Sequence, residues 1–243
     1  MPEFSICIPT YEMGGIGSLY LKELLDSIGE QDFGDYEIIV SDHSKDDEVK
    51  NVCIKNSKVK YFRNEKNRGN GAANINNAVS MSSGKYVKLI FQDDLFYSSE
   101  TLSTLKEIYE KEDVNWIVSG SCHTVDAIEY NNFISPVWSP LTLYGDNQIG
   151  SPSVCSFKRS CFLEFDLFYT LLYDVDFYYR MVIDYGLPYF CDKPLVAIRR
   201  HQHQTTNNVI SDVTLSNGKW NWGIPKNEYE YILGKYGKEQ INI

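Results

Sequence analysis

Gly84-Lys85-Tyr86-Val87-Lys88-Leu89-Ile90-Phe91-Gln92-Asp93-Asp94 is an apolar run that stops at two adjacent carboxylates. Glycine and lysine open the run, and its length suits one buried strand. In open α/β sheets, ligands bind outside the carboxyl ends of the strands. Two acids delivered there repel each other unless a cation offsets them, and Mg²⁺ or Mn²⁺ with oxygen ligands is the natural partner. A solvated turn closing the strand is the alternative, since Asp is common in turns.

Outward from this run, the first half alternates strands and helices. Strands are predicted over residues 4–8, 36–40, 59–62 and 85–91, with a further one at 116–118. Leu21, Leu24, Leu25 and Ile28 have helical spacing, with Ser18 as N-cap. Ala72, Ile75 and Val79 mark a second helix, and Leu102, Leu105 and Ile108 another. This alternation predicts a doubly wound, mostly parallel sheet with helices on both faces. Past residue 120 the pattern loosens into short strands, with one clear helix from Asp174 to Tyr185 and strands at 189–191 and 195–198. One domain over 1–243 is expected, with a ligand-binding half to 120 and a variable half over 121–243.

Composition narrows the classes of function. The chain has 243 residues and a net charge of −10, which argues against a broad nucleic-acid surface. An acidic protein that handles phosphates needs a metal or local cations. Six cysteines lie far apart with no Cys-x-x-Cys pair, the usage of a reducing compartment. No apolar run reaches ~18 residues, and the N-terminus enters a strand directly. A cytoplasmic location is therefore expected; the aromatic tail, with Trp220 and Trp222, either covers the core, the favoured reading, or makes peripheral contact at the inner membrane face.

Topology gathers four loops at one sheet edge. Pro9-Thr10-Tyr11-Glu12 follows the first strand, and Ser41-Asp42-His43-Ser44 the second. Asp42 is placed to accept from a base N–H or a ribose hydroxyl, or to close an Asx turn. Asn67-Arg68-Gly69-Asn70-Gly71 follows the third strand and opens a helix, whose N–H groups favour anions. Gln92-Asp93-Asp94 follows the fourth. Gly14-Gly15-Ile16-Gly17 sits where a dinucleotide fingerprint would, but Tyr20 occupies the third glycine position, which ranks a dehydrogenase low. Asp174 and Asp176 either complement the dipole of their helix or supply a general base. His201 and His203, two apart after Arg199-Arg200, share a face if extended and offer imidazole to a metal.

Together these segments resemble the family 2 glycosyltransferases of GT-A fold. Pro9-Thr10-Tyr11 is similar to the family's Pro-Thr-Tyr-Asn opening, with Glu12 in place of Asn. Val40-Ser41-Asp42-His43-Ser44-Lys45-Asp46 resembles Val-Asp-Asp-Gly-Ser-x-Asp, lacking the first Asp and the Gly. Asn67 and Gly69 match Asn-x-Gly. Gly84-x-Tyr86 with Gln92-Asp93-Asp94 resembles the metal and ribose motif, Phe91 replacing its first acid. Gly150-Ser151-Pro152-Ser153 looks like the acceptor-side loop. Asp174-x-Asp176-Phe177-x-x-Arg180 resembles the Glu-Asp-x-Asp-φ-x-x-Arg helix, with Tyr173 for Glu. Arg199-x-His201 with Thr205-Thr206 resembles the closing Arg-x-His loop.

The resemblance implies an inverting transferase that moves a sugar from a nucleoside-diphosphate donor, UDP by family frequency, to a glycan hydroxyl. The acceptor would be lipid-diphosphate-linked, as in bacterial surface-polysaccharide synthesis. It implies Asp42 at the base and Asp93 at the ribose. Pro9, Thr10, Tyr11, Glu12, Asn67, Arg68, Gly69, Asn70 and Gln92 would line the donor. Mn²⁺ or Mg²⁺ would rest on Asp94 with Asp93 and His201. Asp174 would be the base, with Ser151, Pro152, Tyr173 and Arg180 toward the acceptor. A binding protein of this fold with catalysis lost is the alternative from another class.

Overall fold

The computed structural model describes residues 1–144, 146–204 and 225–237. The expected Thr205-Thr206 segment and the tryptophans Trp220 and Trp222 lie outside the described residues.

Among the described residues, nine strands form one sheet. In chain order they are β1 (Phe4–Thr10), β2 (Tyr36–Asp42), β3 (Val59–Arg63), β4 (Tyr86–Leu89), β5 (Leu95–Phe96), β6 (Trp116–Thr124), β7 (Tyr130–Ile134), β8 (Cys155–Lys158) and β9 (Tyr189–Arg199). The order across the sheet is β3-β2-β1-β4-β8-β6-β9-β5, with β7 beside β6. The first four strands pair in parallel. Strand β8 enters antiparallel between β4 and β6, and β9 then runs parallel to β6. Most strands therefore point one way, with β5, β7 and β8 reversed.

The strands are apolar on both faces because helices cover both. Ile6 and Ile8 of β1 pack with Leu21, Leu24 and Ile28 of α1 (Gly17–Gly29) and with Leu102 and Leu105 of α4 (Thr101–Lys111). Cys7, between them, points the other way. It joins Ile75 and Val79 of α3 (Gly71–Ser80) and Phe177 and Met181 of α5 (Tyr173–Tyr185). This is the two-residue period of a strand buried on both sides. Short α2 (Glu48–Cys53) lies in the first layer through Val49 and Cys53. Helix α6 (Lys226–Tyr236) seats Ile232 against Tyr169, Leu172, Val175 and Tyr179. All six cysteines are free and buried.

Three local expectations are revised. Helix α1 starts at Gly17 after Ile16, so Ser18 is not its cap. The stretches 189–191 and 195–198 form one strand, β9, whose register against β6 shifts at Gly120. Strands β5, β7 and β8 were not foreseen, because they are short or lack clean alternation.

Register brings the loop ends together. Thr10 lies opposite Asp42, and Asp42 opposite Arg63. Between β1 and β4 the order of winding reverses, the position at which open sheets of this kind bind ligands. Gly17 packs tightly beneath the loops after these two strands: a Cβ on it would lie 2.2 Å from the Tyr11 carbonyl oxygen and 2.6 Å from Gln92 Nε2. At Gly71, the first residue of α3, a Cβ meets nothing within 4 Å.

Gly17→Ala is expected to destabilise by about 1–3 kcal/mol or more, since backbone must shift to admit the methyl. Gly71→Ala should be neutral or stabilising by up to ~1 kcal/mol, from helix propensity. Urea denaturation of the two variants checks this, and equal effects would reject the packing described.

Candidate active site

The loop after β1 is strapped to the loop after β4. The Gln92 side-chain amide donates to the Tyr11 carbonyl at 2.9 Å and accepts from the Tyr11 amide at 2.5 Å. Gln92 is buried. Both of its polar groups are thus used by the scaffold. Its effect is to hold Tyr11 and Glu12 beside Asp93.

Asp42 is fully buried. Its Oδ1 accepts from the Ser44 amide at 2.8 Å and the Ser44 hydroxyl at 2.6 Å, with the Thr10 hydroxyl at 3.3 Å. Its Oδ2 accepts from the Tyr61 hydroxyl at 2.7 Å, and Arg63 Nε stands 3.5 Å away. The expected base-reading carboxylate is therefore occupied from within, and it braces the loop 42–44 instead of presenting free lone pairs. Tyr61 and Arg63 were not foreseen. Their signal was the alternation of β3, which puts both on the face of Asp42.

Asn70 caps α3, accepting from the Ala73 amide at 2.9 Å, and its side-chain NH₂ reaches the Leu167 carbonyl at 2.8 Å. Asn67 and Gly69 both have positive φ, 52° and 89°, which suits Asn and Gly in a tight turn. Arg68 is paired only distantly with Glu65, at 3.8 Å, on the exposed side of that turn.

The adjacent acids are gathered by Arg199 at the end of β9. Its amide donates to Asp94 Oδ1 at 3.0 Å and its Nε donates to the Asp93 carbonyl at 2.9 Å. The guanidinium then pairs with Glu23 and lies over the Tyr20 ring at 4.3 Å. Tyr20, the residue that breaks the glycine fingerprint, thus serves as the platform of this arginine. Asp94 is only 3% exposed. Burial and the neighbouring Asp93 hold its carboxyl well above the usual range, against the Ser153 hydroxyl and Arg199, which favour the charged form. His201 Nε2 lies 2.8 Å from Asp93 Oδ2. His203 turns back on His201, its amide donating to Nδ1 at 3.2 Å.

Whether this set suits a divalent cation can be read from its donors. Among the described residues, no three His, Cys, Asp or Glu side chains group as a metal site. Asp93 and His201 are instead joined directly at 2.8 Å; because His201 Nδ1 accepts from the His203 amide, Nε2 carries the proton toward Asp93. The pair offers a carboxylate and an imidazole to Mn²⁺ or Mg²⁺ only once that proton has left. Asp94 is turned inward, with one oxygen on the Arg199 amide.

A short loop joins these acids to Asp174. The Ser153 hydroxyl accepts from the Phe91 amide at 2.9 Å and touches Asp94. Buried Lys88 of β4 donates to the Ser153 carbonyl and, at 3.4 Å, to that of Cys155. Burial pushes its ammonium down to about 7. Six residues earlier, Asn147 donates to Asp174 Oδ2 at 3.0 Å. Six peptide steps reach at most ~20 Å, so Asp174 and Asp94 sit at the two ends of one short bridge. Burial pushes the Tyr173 phenol up, and Asp174, Asp93 and Asp94 all add to that shift. Desolvation pushes the Asp174 carboxyl up to about 7, opposed by the Val175 amide and Asn147 and assisted by Glu228. Ser151 caps the turn at Pro152, its hydroxyl accepting from the Ser153 amide at 3.3 Å.

Arg180 is not brought to this cluster. It donates to Asp176 at 2.8 Å and to the Glu164 carbonyl at 2.8 Å. Lys88 and Asn147 were missed, although a lysine inside an apolar strand is a visible signal.

A mostly parallel sheet with a switch point between β1 and β4, followed by reversed strands and a helix-borne acid, is the architecture of a glycosyltransferase of GT-A fold. The model of glycosyl transferase family 2 matches residues 5–165, and the chain belongs to that family. Over 111 residues it is 35% identical to the GalNAc(5)-diNAcBac-PP-undecaprenol beta-1,3-glucosyltransferase of Campylobacter jejuni. That match covers 44% of this chain and 34% of the relative, so the chain spans about a third of that protein's length. An uncharacterized glycosyltransferase of Rickettsia typhi is 26% identical over 99% of this chain and 77% of its own. Among solved structures, S. aureus TarS 1-349 in complex with UDP superposes with a TM-score of 0.64 at 17% identity, over 96% of this chain and 70% of that one. The mannosyltransferase PcManGT of Pyrobaculum calidifontis, in complex with GDP-Man and Mn²⁺, gives 0.58 at 17% identity, over 97% and 69%. Both likenesses bear on the fold.

Asp174 should titrate near 7 by carboxyl ¹³C NMR, far above an ordinary Asp near 4. In Asn147→Leu the midpoint should rise further, because the lost N–H favoured the charged form. An unchanged or lower midpoint would reject that role.

Proposed function

We propose that this chain transfers a sugar, with inversion, from a UDP-sugar to a hydroxyl of a glycan acceptor carried on a lipid diphosphate. The observation that carries this reading is the bridge 147–153, which hangs a half-buried carboxyl of raised pKa at one end and the Asp93-Asp94 pair at the other. The acceptor class is suggested by the name of the Campylobacter relative, and the nucleotide by the complexes of TarS.

In this reading the base of the donor rests on the wall formed by residues 9–12 and 42–44, which Asp42 braces. The turn Asn67–Asn70, with Arg68 and the first amides of α3, faces the diphosphate. Asp93 and His201 would hold a divalent cation, which when bound neutralises charge on the leaving diphosphate. Asp174 accepts the proton of the acceptor hydroxyl as its oxygen forms a bond to C1. The bond from C1 to the diphosphate oxygen breaks, and UDP leaves. A base poised near neutral pH suits this step, because it is charged yet basic enough to act. Ser151, Pro152 and Tyr173 line the acceptor side, and Arg180 is assigned to the scaffold.

UDP with Mn²⁺ should raise the Tm, and UDP with chelator should raise it less. Asp174→Asn should keep the nucleotide shift and lose transfer by ~10²–10⁴-fold. In the wild type, transfer should fall as pH drops through about 7, since protonation removes the base. A nucleotide shift without any transfer across a donor screen would instead favour a binding protein, and full turnover by Asp174→Asn would defeat the assignment of the base.

A further inference from the structure

Helix α6 carries a buried carboxylate, Glu228, in its first turn. Its oxygens accept from three consecutive backbone amides: Thr170 at 2.7 Å, Leu171 at 3.1 and 3.3 Å, and Leu172 at 2.9 Å. Leu172 is the N-cap of α5, so these amides belong to the entry of the helix that carries Asp174. Successive amides that converge on one anion form a nest, and the helix dipole adds to it. The anion here comes from the chain itself, 56 to 58 residues away in sequence.

The same helix grips α5 again beyond Asp174. Asp176 is fully buried, and its Oδ1 accepts from Lys235 Nζ at 2.8 Å and the Tyr236 hydroxyl at 2.5 Å. Ile232 packs between the two grips against Leu172, Val175 and Tyr179. Helix α6 therefore holds residue 172 and residue 176, on either side of Asp174.

We propose that Glu228 is a positioning residue for the transfer reaction, fixing the backbone 170–172 and through it the aim of the Asp174 carboxyl. This rests on the reading of Asp174 as the base. Glu228 also acts on Asp174 through its charge. Tyr173 and Tyr178 from α5 and Cys155 from β8 also interact with Asp174, with Asn147 as hydrogen-bond donor, and Asp93 and Asp94 share Tyr173 with it. Burial pushes both phenols and the thiol up, so they are neutral near pH 7. Glu228 is a neighbour whose negative charge helps keep the proton on Asp174.

The test compares Glu228→Gln with Lys235→Met, which loosens only the far grip. Glu228→Gln should lower kcat by about tenfold through misaim, with the donor KM unchanged. Its acid limb and the Asp174 NMR midpoint should both move down, because a like charge has gone. Amide exchange at Thr170–Leu172 should accelerate. Lys235→Met should lower Tm and leave the midpoint in place. A Glu228→Gln protein with wild-type pH profile, midpoint and exchange, and only a lower Tm, would overturn the proposal. Should that variant not fold, Glu228→Asp keeps the charge but shortens its reach. It should speed exchange and lower kcat with the midpoint still raised, and wild-type values for both would overturn the proposal equally. Failure of the parent reading looks different: Asp174→Asn keeps full turnover, while the midpoint and exchange still respond to residue 228.

Discussion

Burying like charges next to one another is the constraint from which the rest of the architecture follows. Asp93 and Asp94 lie in the loop after β4, and burial together with the charge of Asp93 raises the cost of ionising Asp94. The protein answers with dipoles and one arginine. Arg199 gives its amide to one acid and its Nε to the carbonyl of the other, then anchors on Glu23 and Tyr20. Strand β9 must end where it does for that reach, and α1 must present residues 20 and 23. A strand tip, a distant strand end and a helix face are thereby tied to one pair of carboxylates.

The second set of ties runs to α5. Ser153 touches Phe91 and Asp94, Lys88 holds the carbonyls of Ser153 and Cys155, and Asn147 holds Asp174. These are side-chain hydrogen bonds to backbone or to carboxylates, which are the stronger kind when one partner is ionised. They set a short distance between two acidic centres that are 80 residues apart in sequence. In the proposed reaction such ties would matter, because positioning supplies much of the rate in group transfer.

Much of the frame was readable before any coordinates. The apolar run ending at Asp93-Asp94, the Leu21–Ile28 stripe and the Asp174–Tyr185 helix carry strong periodicity, and long periodic segments depend little on context. The strands β5, β7 and β8 escaped because two to five residues carry too little pattern. The roles of Asp42, Gln92 and Arg180 were read from residue type and motif. Their hydrogen-bonding capacity is spent on Ser44 and Tyr61, on the Tyr11 backbone, and on Asp176 and the Glu164 carbonyl. No sequence pattern reports whether a polar group is already satisfied by a distant partner.

The alternation of β1 to β4 with their helices, the apolar stripes those helices bury and the acids delivered to one edge were determined by the sequence alone. They depend on periodicity and on the handedness of parallel crossovers, both local rules. The tertiary structure decided which of those acids are charged and which are braces. That choice is made by desolvation and by partners such as Arg199, Asn147 and Glu228, brought close only when the sheet closes over β8 and α6 docks on α5.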